Sequence, residues 1–323
     1  MGTFKLKEMK PTRFGFGEGV KEAARLNEAV VGLGADITSS VSMDLFANAF
    51  PERFYSMGIA EQNIIGVAAG MALSGKVPFF STYGVFAAMR TLDQIRISVC
   101  YNNVPVKIGG AHAGISVGPD GATHQALEDI AVMRSLPNMT VLSPCDATQT
   151  RLATIAAAEL NGPVYIRFGR EAVPDFTTED FGFEIGKGQV LTEGSDVCII
   201  ATGHMVWEAL VAAESLKKNT GISARVINIH TIKPIDQELI IKAARETGFI
   251  VTAEEHQIYG GLGSAVAEVL VKNFPVPVEM IGVNDRFGES GKPDELMEKY
   301  GLKACNIEQA VHKVLSRKKV LTF

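Results

Sequence analysis

Short apolar runs of four to seven residues recur along the chain, separated by longer stretches in which apolar positions return at helical spacing. This alternation predicts parallel-type sheets with crossover helices. In the first half the runs 29–34 (AVVGLG), 77–82 (VPFFST), 104–109 (VPVKIG), 139–143 (MTVLS) and 163–168 (PVYIRF) read as strands. Helices are expected over 60–74, 86–100, 125–135 and 146–160, the last rich in Ala and opened by Asp146 as N-cap. Residues 174–194 (PDFTTEDFGFEIGKGQVLTEG) read as a linker that finishes in a short strand. A second series follows, with strands at 197–202, 224–229, 249–253 and 276–282 and helices at 205–218, 236–246, 262–273, 294–300 and 306–316. The expected fold is α/β, two successive parallel-type sheets with helices on both faces, divided into domains 1–180 and 181–323.

Composition narrows the class. The 323 residues are 46% hydrophobic and 21% charged, and no apolar run approaches the roughly eighteen residues a membrane span requires. The N-terminal MGTFKLKEMKPTRFG has basic residues but no apolar stretch behind them, so a signal peptide is not expected. Leu6 stands where a myristoylation signal wants Ser or Thr. Cys100, Cys145, Cys198 and Cys305 lie far apart without metal or redox spacing, as reduced cysteines of a cytoplasmic protein would. A net charge of −5 with dispersed lysines gives no footprint for nucleic acid. The RKK at 317–319 reads as a solvated end.

Three segments could carry chemistry. Between Arg53 and Lys76 the only charge is Glu61, at the start of a Gly/Ala-rich apolar helix. It is either a carboxylate favoured by the helix dipole or, buried among apolar neighbours, an acid able to hold or share a proton near neutral pH. The stretch 110–126 (GAHAGISVGPDGATHQA) is a Gly-dense loop bearing His112, Asp120 and His124. Metal ligation, turn formation about Pro119-Asp120-Gly121 and substrate handling are all open to it. Arg13, Arg167 and Arg170 bracket the first series and suit an anionic ligand. A weaker signal, Gly261-Leu262-Gly263 after a strand, invites a dinucleotide site with Glu279 as ribose acid. Val266 stands where the third small residue belongs, so a tight strand-to-helix turn is the simpler reading.

The strings PERFYSMGIAEQN, TYGVFAAMRTLDQIR, GPDGATHQALEDIAVMRSLPNM and GPVYIRFGR resemble the pyrimidine-binding domain of transketolases. IKPID, AEEH and GGLGSAVAEVL resemble the C-terminal domain of the same thiamine diphosphate family. The resemblance implies that Glu61 is the glutamate contacting the aminopyrimidine of the cofactor and driving its activation. It likewise implies that Phe86 stacks on that ring with Tyr83 beside it, and that Asp36 borders the thiazolium. His112 and His124 would face sugar oxygens in catalysis, Asp120 would recognise a hydroxyl, and Arg13, Ser40, His112 and Arg170 would hold a sugar phosphate. His112 is followed by Ala-Gly, where many single-chain transketolases have Asp-Ser. His256 inherits no catalytic role.

The family's GDG motif, which holds the diphosphate through Mg²⁺, has no counterpart here, since Asp120-Gly121 belongs to the substrate loop. The resemblance therefore implies half a site: a C-terminal subunit needing an N-terminal partner that carries Mg²⁺, in an α₂β₂ assembly. Such an enzyme moves a two-carbon ketol unit between sugar phosphates, as in the pentose phosphate pathway. Neighbouring readings are a subunit of a deoxyxylulose-phosphate synthase-like or 2-oxoacid dehydrogenase β-type enzyme, or a non-catalytic scaffold.

Overall fold

The structure, a computed structural model, describes residues 4–317; Lys318 and Lys319 of the basic end and the first three residues of the N-terminal segment lie outside the described residues. The strands in chain order are β1 (Glu8–Pro11), β2 (Val30–Gly34), β3 (Phe54–Ser56), β4 (Val77–Tyr83), β5 (Lys107–Ala111), β6 (Thr140–Leu142) and β7 (Val164–Arg167). They continue with β8 (Ala172–Asp175), β9 (Gln189–Thr192), β10 (Val197–Ala201), β11 (Ala224–Asn228), β12 (Thr231–Lys233), β13 (Ile250–Gln257) and β14 (Val278–Val283).

A seven-stranded sheet runs β12-β6-β7-β5-β4-β2-β3 and a five-stranded sheet runs β14-β13-β10-β11-β9. Every pairing within them is parallel except at β12 and β9, which add antiparallel edges. β2, β5, β10 and β11 are buried along their whole length. Covered on both faces, β2 and β10 are apolar throughout rather than alternating, which is why they are legible as strands. Helices flank both sheets, as the α/β expectation requires.

Most expected elements are present within one to three residues of their anticipated limits. Asp146 caps the helix Ala147–Glu159 through its carboxylate, which accepts from the Gln149 N–H at 2.8 Å. Others differ. β5 begins three residues later than expected, because 104–106, which follow the turn at Asn102-Asn103 and include Pro105, run outside the ladder. The helix expected over 125–135 starts only at Asp129, residues 125–128 being used to close the Gly-rich loop. The expected helix 86–100 is helical but wound largely in wide π-type turns, over Phe86–Arg90 and Ile95–Tyr101. The linker expected from 174 begins within β8, which pairs antiparallel with β1 as a separate ribbon.

The helix Thr12–Leu26 has no counterpart among the expected elements. Gly15, Gly17 and Gly19 interrupt its apolar periodicity, yet a Cβ on them would lie 2.1 Å from the Ala147 carbonyl oxygen, 2.2 Å from that of Ser42 and 2.6 Å from Thr154. Close approach of backbones, not flexibility, is what these glycines serve.

Candidate functional site

In open parallel sheets ligands bind beyond the carboxyl ends of the strands, and the candidate residues gather there. Tyr83 ends β4, Phe86 opens the helical stretch after it, His112 follows β5, Arg170 follows β7 and Asp36 follows β2. Four rings converge. Tyr83 lies 4.3 Å from His112, 5.7 Å from His124 and 6.0 Å from Phe86, and Phe86 lies 5.4 Å from His124.

Glu61 is the first residue of the helix Glu61–Leu73 and is 4% exposed. It is not the lone carboxylate its sequence surroundings suggest, because Arg90 donates to Glu61 Oε1 at 2.7 Å. The same guanidinium covers the Phe86 ring at 4.2 Å, tying the carboxylate to the aromatic cluster. Sequence reasoning misses Arg90, although a signal exists: it lies four residues after Phe86, and a wide helical turn places both on one side.

His112 is strained and buried, with φ of +52° and 2% exposure. Burial, reinforced by the Arg13 and Arg170 charges, lowers its pKa to about 4, so the ring is neutral at pH 7. Its Nδ1 is buried without a hydrogen-bond partner among the described residues. A buried polar atom left in this way marks a place for a ligand group. His124 sits at the other end of the loop, its Nδ1 2.8 Å from the Thr123 hydroxyl.

The basic side of the site is built from two pairs. Arg170 Nη1 donates to Asp120 Oδ1 at 2.8 Å, and Arg13 Nη1 donates to the Ser40 carbonyl at 2.7 Å. Arg13 and Arg170 act together on His112, whereas Arg167 does not join them. Arg167 is buried behind the site, bonded through Nε to Asp129 at 3.0 Å, so it holds the fold rather than an anion. Asp36 stands exposed in a left-handed conformation, and no hydrogen bond or ion pair joins it to the other site residues among the described residues.

The loop 112–126 uses its glycines as turns, with Gly114, Gly118 and Gly121 all at positive φ. Asp120 is directed to Arg170, and among the described residues no group of three or more His, Cys, Asp or Glu is arranged to hold a metal. The Gly261–Gly263 turn does not admit a dinucleotide phosphate. The Glu254 carboxylate already accepts from the Leu262 and Gly263 N–H groups at 2.7 and 2.8 Å, filling that helix N-terminus. Glu279, the supposed ribose acid, pairs with Lys313 at 2.8 Å and with Arg317.

The fold and site define an α/β protein whose polar and aromatic groups gather beyond the carboxyl ends of β2, β4, β5 and β7. Residues 8–175 match the transketolase pyrimidine-binding domain and residues 186–307 the transketolase C-terminal domain. A solved structure titled "Split gene transketolase, inactive beta4 tetramer" is 52% identical, with a TM-score of 0.89 over 95% of this chain and 99% of that one. The 6-deoxy-6-sulfo-D-fructose transketolase subunit of a Clostridium species is 45% identical over 92% of each chain. A subunit of the apulose-4-phosphate transketolase of Phocaeicola vulgatus is 43% identical over 90% of this chain and 93% of its own. The chain belongs to the transketolase family, as a C-terminal subunit of the split, ketol-transferring type. Dependence on thiamine diphosphate follows from that membership. Among the described residues no helix is long and apolar enough to cross a membrane.

Proposed function

We propose that this chain supplies the pyrimidine- and sugar-facing half of a thiamine diphosphate site. An N-terminal transketolase subunit would supply the other half, including the diphosphate and Mg²⁺ ligands. Residues 1–180 form the pyrimidine-binding domain and 181–323 the C-terminal domain. One observation carries the reading: a buried carboxylate, Glu61, is linked by Arg90 to a cluster of Phe86, Tyr83, His112 and His124 at the carboxyl ends of the strands.

Thiamine diphosphate, when bound, supplies the carbon nucleophile that lets a carbon–carbon bond beside a carbonyl be broken and remade. Glu61, 4% exposed, would hold a ring nitrogen of the cofactor's pyrimidine and could share a proton with it, its burial keeping competing water away. Phe86 and Tyr83 would offer apolar faces to that ring, and Asp36 would border the remainder of the cofactor. Neutral His112 can donate to and accept from a sugar oxygen, and its unpartnered Nδ1 gains a hydrogen bond in doing so. His124 faces the same oxygens. Asp120, oriented by Arg170, accepts from a substrate hydroxyl. Arg13 and Arg170 provide the positive charge for a sugar phosphate, with Ser40 orienting Arg13 through its carbonyl.

A partner is supported by the outer side of the helix Glu61–Leu73. Gly66, Gly70 and Leu73 are exposed on it, and a Cβ at either glycine would meet open space. An apolar helix with a bare outer side beside the key carboxylate suits a contact between subunits. The inactivity named for the 52% identical β₄ tetramer is in keeping with a site completed only by the other subunit. An α₂β₂ heterotetramer in the cytoplasm, acting in carbohydrate metabolism of the pentose phosphate kind, is the corresponding assembly.

The test is reconstitution with an N-terminal subunit, Mg²⁺ and thiamine diphosphate, followed by assay of ketol transfer from a ketose phosphate to an aldose phosphate. Activity is expected only from the mixture, and robust transfer by the isolated chain would remove the shared site. Glu61→Ala should abolish turnover in the mixture. Preferential consumption of pyruvate or another 2-oxoacid would favour a synthase or dehydrogenase role instead.

A further inference from the structure

The second sheet contributes nothing to the ring cluster, yet its longest strand reaches the loop that carries the substrate-facing residues. At the end of β13, Glu255 is 4% exposed and directs its carboxylate into the loop 112–126. Its Oε1 accepts from the Ser116 N–H at 2.6 Å, and its Oε2 lies 3.3 Å from His204 Nδ1. The loop runs so close that a Cβ on Gly114, at φ +92°, would fall 2.2 Å from the Glu255 carboxyl carbon. The backbone carbonyl of Glu255 is held in turn by Arg167 Nη2 at 2.8 Å. Further along, the Gln125 side chain donates to the Glu289 carbonyl at 2.9 Å, and Ser290 and Pro293 face Gly121 and Gly118.

The loop residues contacted, Gly114, Ser116, Gly118 and Gly121, lie between His112 and His124 with Gln125 just after, and the groups that meet them come from residues beyond 250. A buried carboxylate that accepts a backbone N–H fixes that peptide plane, and a charge-assisted bond of 2.6 Å is a strong one. His112 is itself held in a left-handed conformation that the loop must maintain.

Resting on the functional reading above, we propose that Glu255 is a positioning residue for the sugar phosphate end of the site. It locks the 112–118 segment so that His112 and Asp120 meet the substrate. The second sheet is thereby the rear wall of a site to which it lends no group that touches substrate.

The experiment compares Glu255→Ala, Glu255→Asp and Glu255→Gln in the reconstituted complex. Glutamine keeps an acceptor at the Oε1 position, whereas aspartate keeps the charge but is one methylene too short to reach Ser116. Amide exchange over 113–118 should quicken at least about tenfold in the alanine and aspartate variants and stay within about threefold of wild type in the glutamine variant. The KM for the sugar phosphate should rise at least about tenfold in the same two variants, with thiamine diphosphate affinity within about twofold of wild type. Should the alanine variant fail to fold, the aspartate variant carries the same comparison. Unchanged exchange in the aspartate variant, or cofactor affinity falling in step with KM, overturns the proposal. If the wild-type complex transfers no ketol group, the functional reading fails, while the exchange data still decide whether Glu255 locks the loop.

Discussion

Replacing Asp129 by Asn would strip the charge from the ion pair that sits where the two sheets meet. Asp129 is fully buried and Arg167 is 7% exposed, with Nε 3.0 Å from Oδ2. Arg167 also bonds the Ala126 and Glu255 carbonyls at 3.1 and 2.8 Å, and Tyr165 donates its hydroxyl to Asp129 Oδ2 at 2.8 Å. The isosteric asparagine fits, but the buried guanidinium loses the one carboxylate in contact with it, leaving only the field of the more distant Glu255. Breaking a buried pair in this way costs about 3–5 kcal/mol. With a urea slope near the upper end for single domains, about 3 kcal/mol per M, the unfolding midpoint should fall by about 1–1.7 M. Trp207, the single tryptophan, packs 5.4 Å from Phe176 on the second sheet's side and reports on that half, while far-ultraviolet circular dichroism reports on both. Both signals should shift together. Combining Asp129→Asn with Arg167→Met removes the stranded charge, so the double variant should be less destabilised than the sum of the singles. A midpoint within about 0.3 M of wild type for Asp129→Asn would refute the role given to this pair.

Two further outcomes are expected. Burial raises the Glu254 pKa from 4.5 to about 7, so the folded state binds its proton more tightly than the unfolded chain does. Its stabilisation is complete below pH 4.5 and is lost as pH rises through about 7; at about 1.4 kcal/mol per pH unit this amounts to roughly 3 kcal/mol. Urea midpoints measured from pH 4.5 to 8 should decline more steeply for wild type than for Glu254→Gln, and parallel profiles would count against the assignment. Among the four cysteines only Cys305 is exposed, while burial pushes the Cys100 thiol up to about 11. Ellman's reagent should therefore titrate one thiol quickly in the native chain and four after denaturation, and Cys305→Ser should abolish the fast phase.

What the sequence reveals depends on whether a segment's environment is written in its own residues. β2 and β10 are continuous apolar runs because both faces are covered, and they are readable almost to the residue. β13 is readable only as far as 253, because Glu254, Glu255, His256 and Gln257 look like a polar turn. All four are buried in the strand, and what permits it lies outside the strand: the N–H groups of Leu262 and Gly263 for Glu254, that of Ser116 for Glu255, that of Ala131 for His256, and the Arg286 carbonyl and Asp285 N–H for Gln257. The helix Thr12–Leu26 is hidden for the opposite reason, since its glycines answer to neighbouring backbones. At the site, the residue types of Glu61, His112, Asp120 and His124 are conspicuous. Their organisers Arg90 and Glu255 are not, because ion pairing across 29 positions and hydrogen bonding across 139 leave no local pattern.

The short strand β12 comes from residues 231–233 but lies at the rim of the first sheet, beside β6. Its Lys233 reaches back to donate to the Arg134 and Leu136 carbonyls at 3.0 and 2.5 Å. A fragment ending before residue 231 would retain every residue of the ring cluster and yet expose the flank of β6, a row of unpaired backbone groups ready to template intermolecular pairing. Dissection of this polypeptide between its two sheets would thus yield aggregates rather than a soluble cofactor-binding piece, and a tag or fusion junction is better placed at either end than near residue 180.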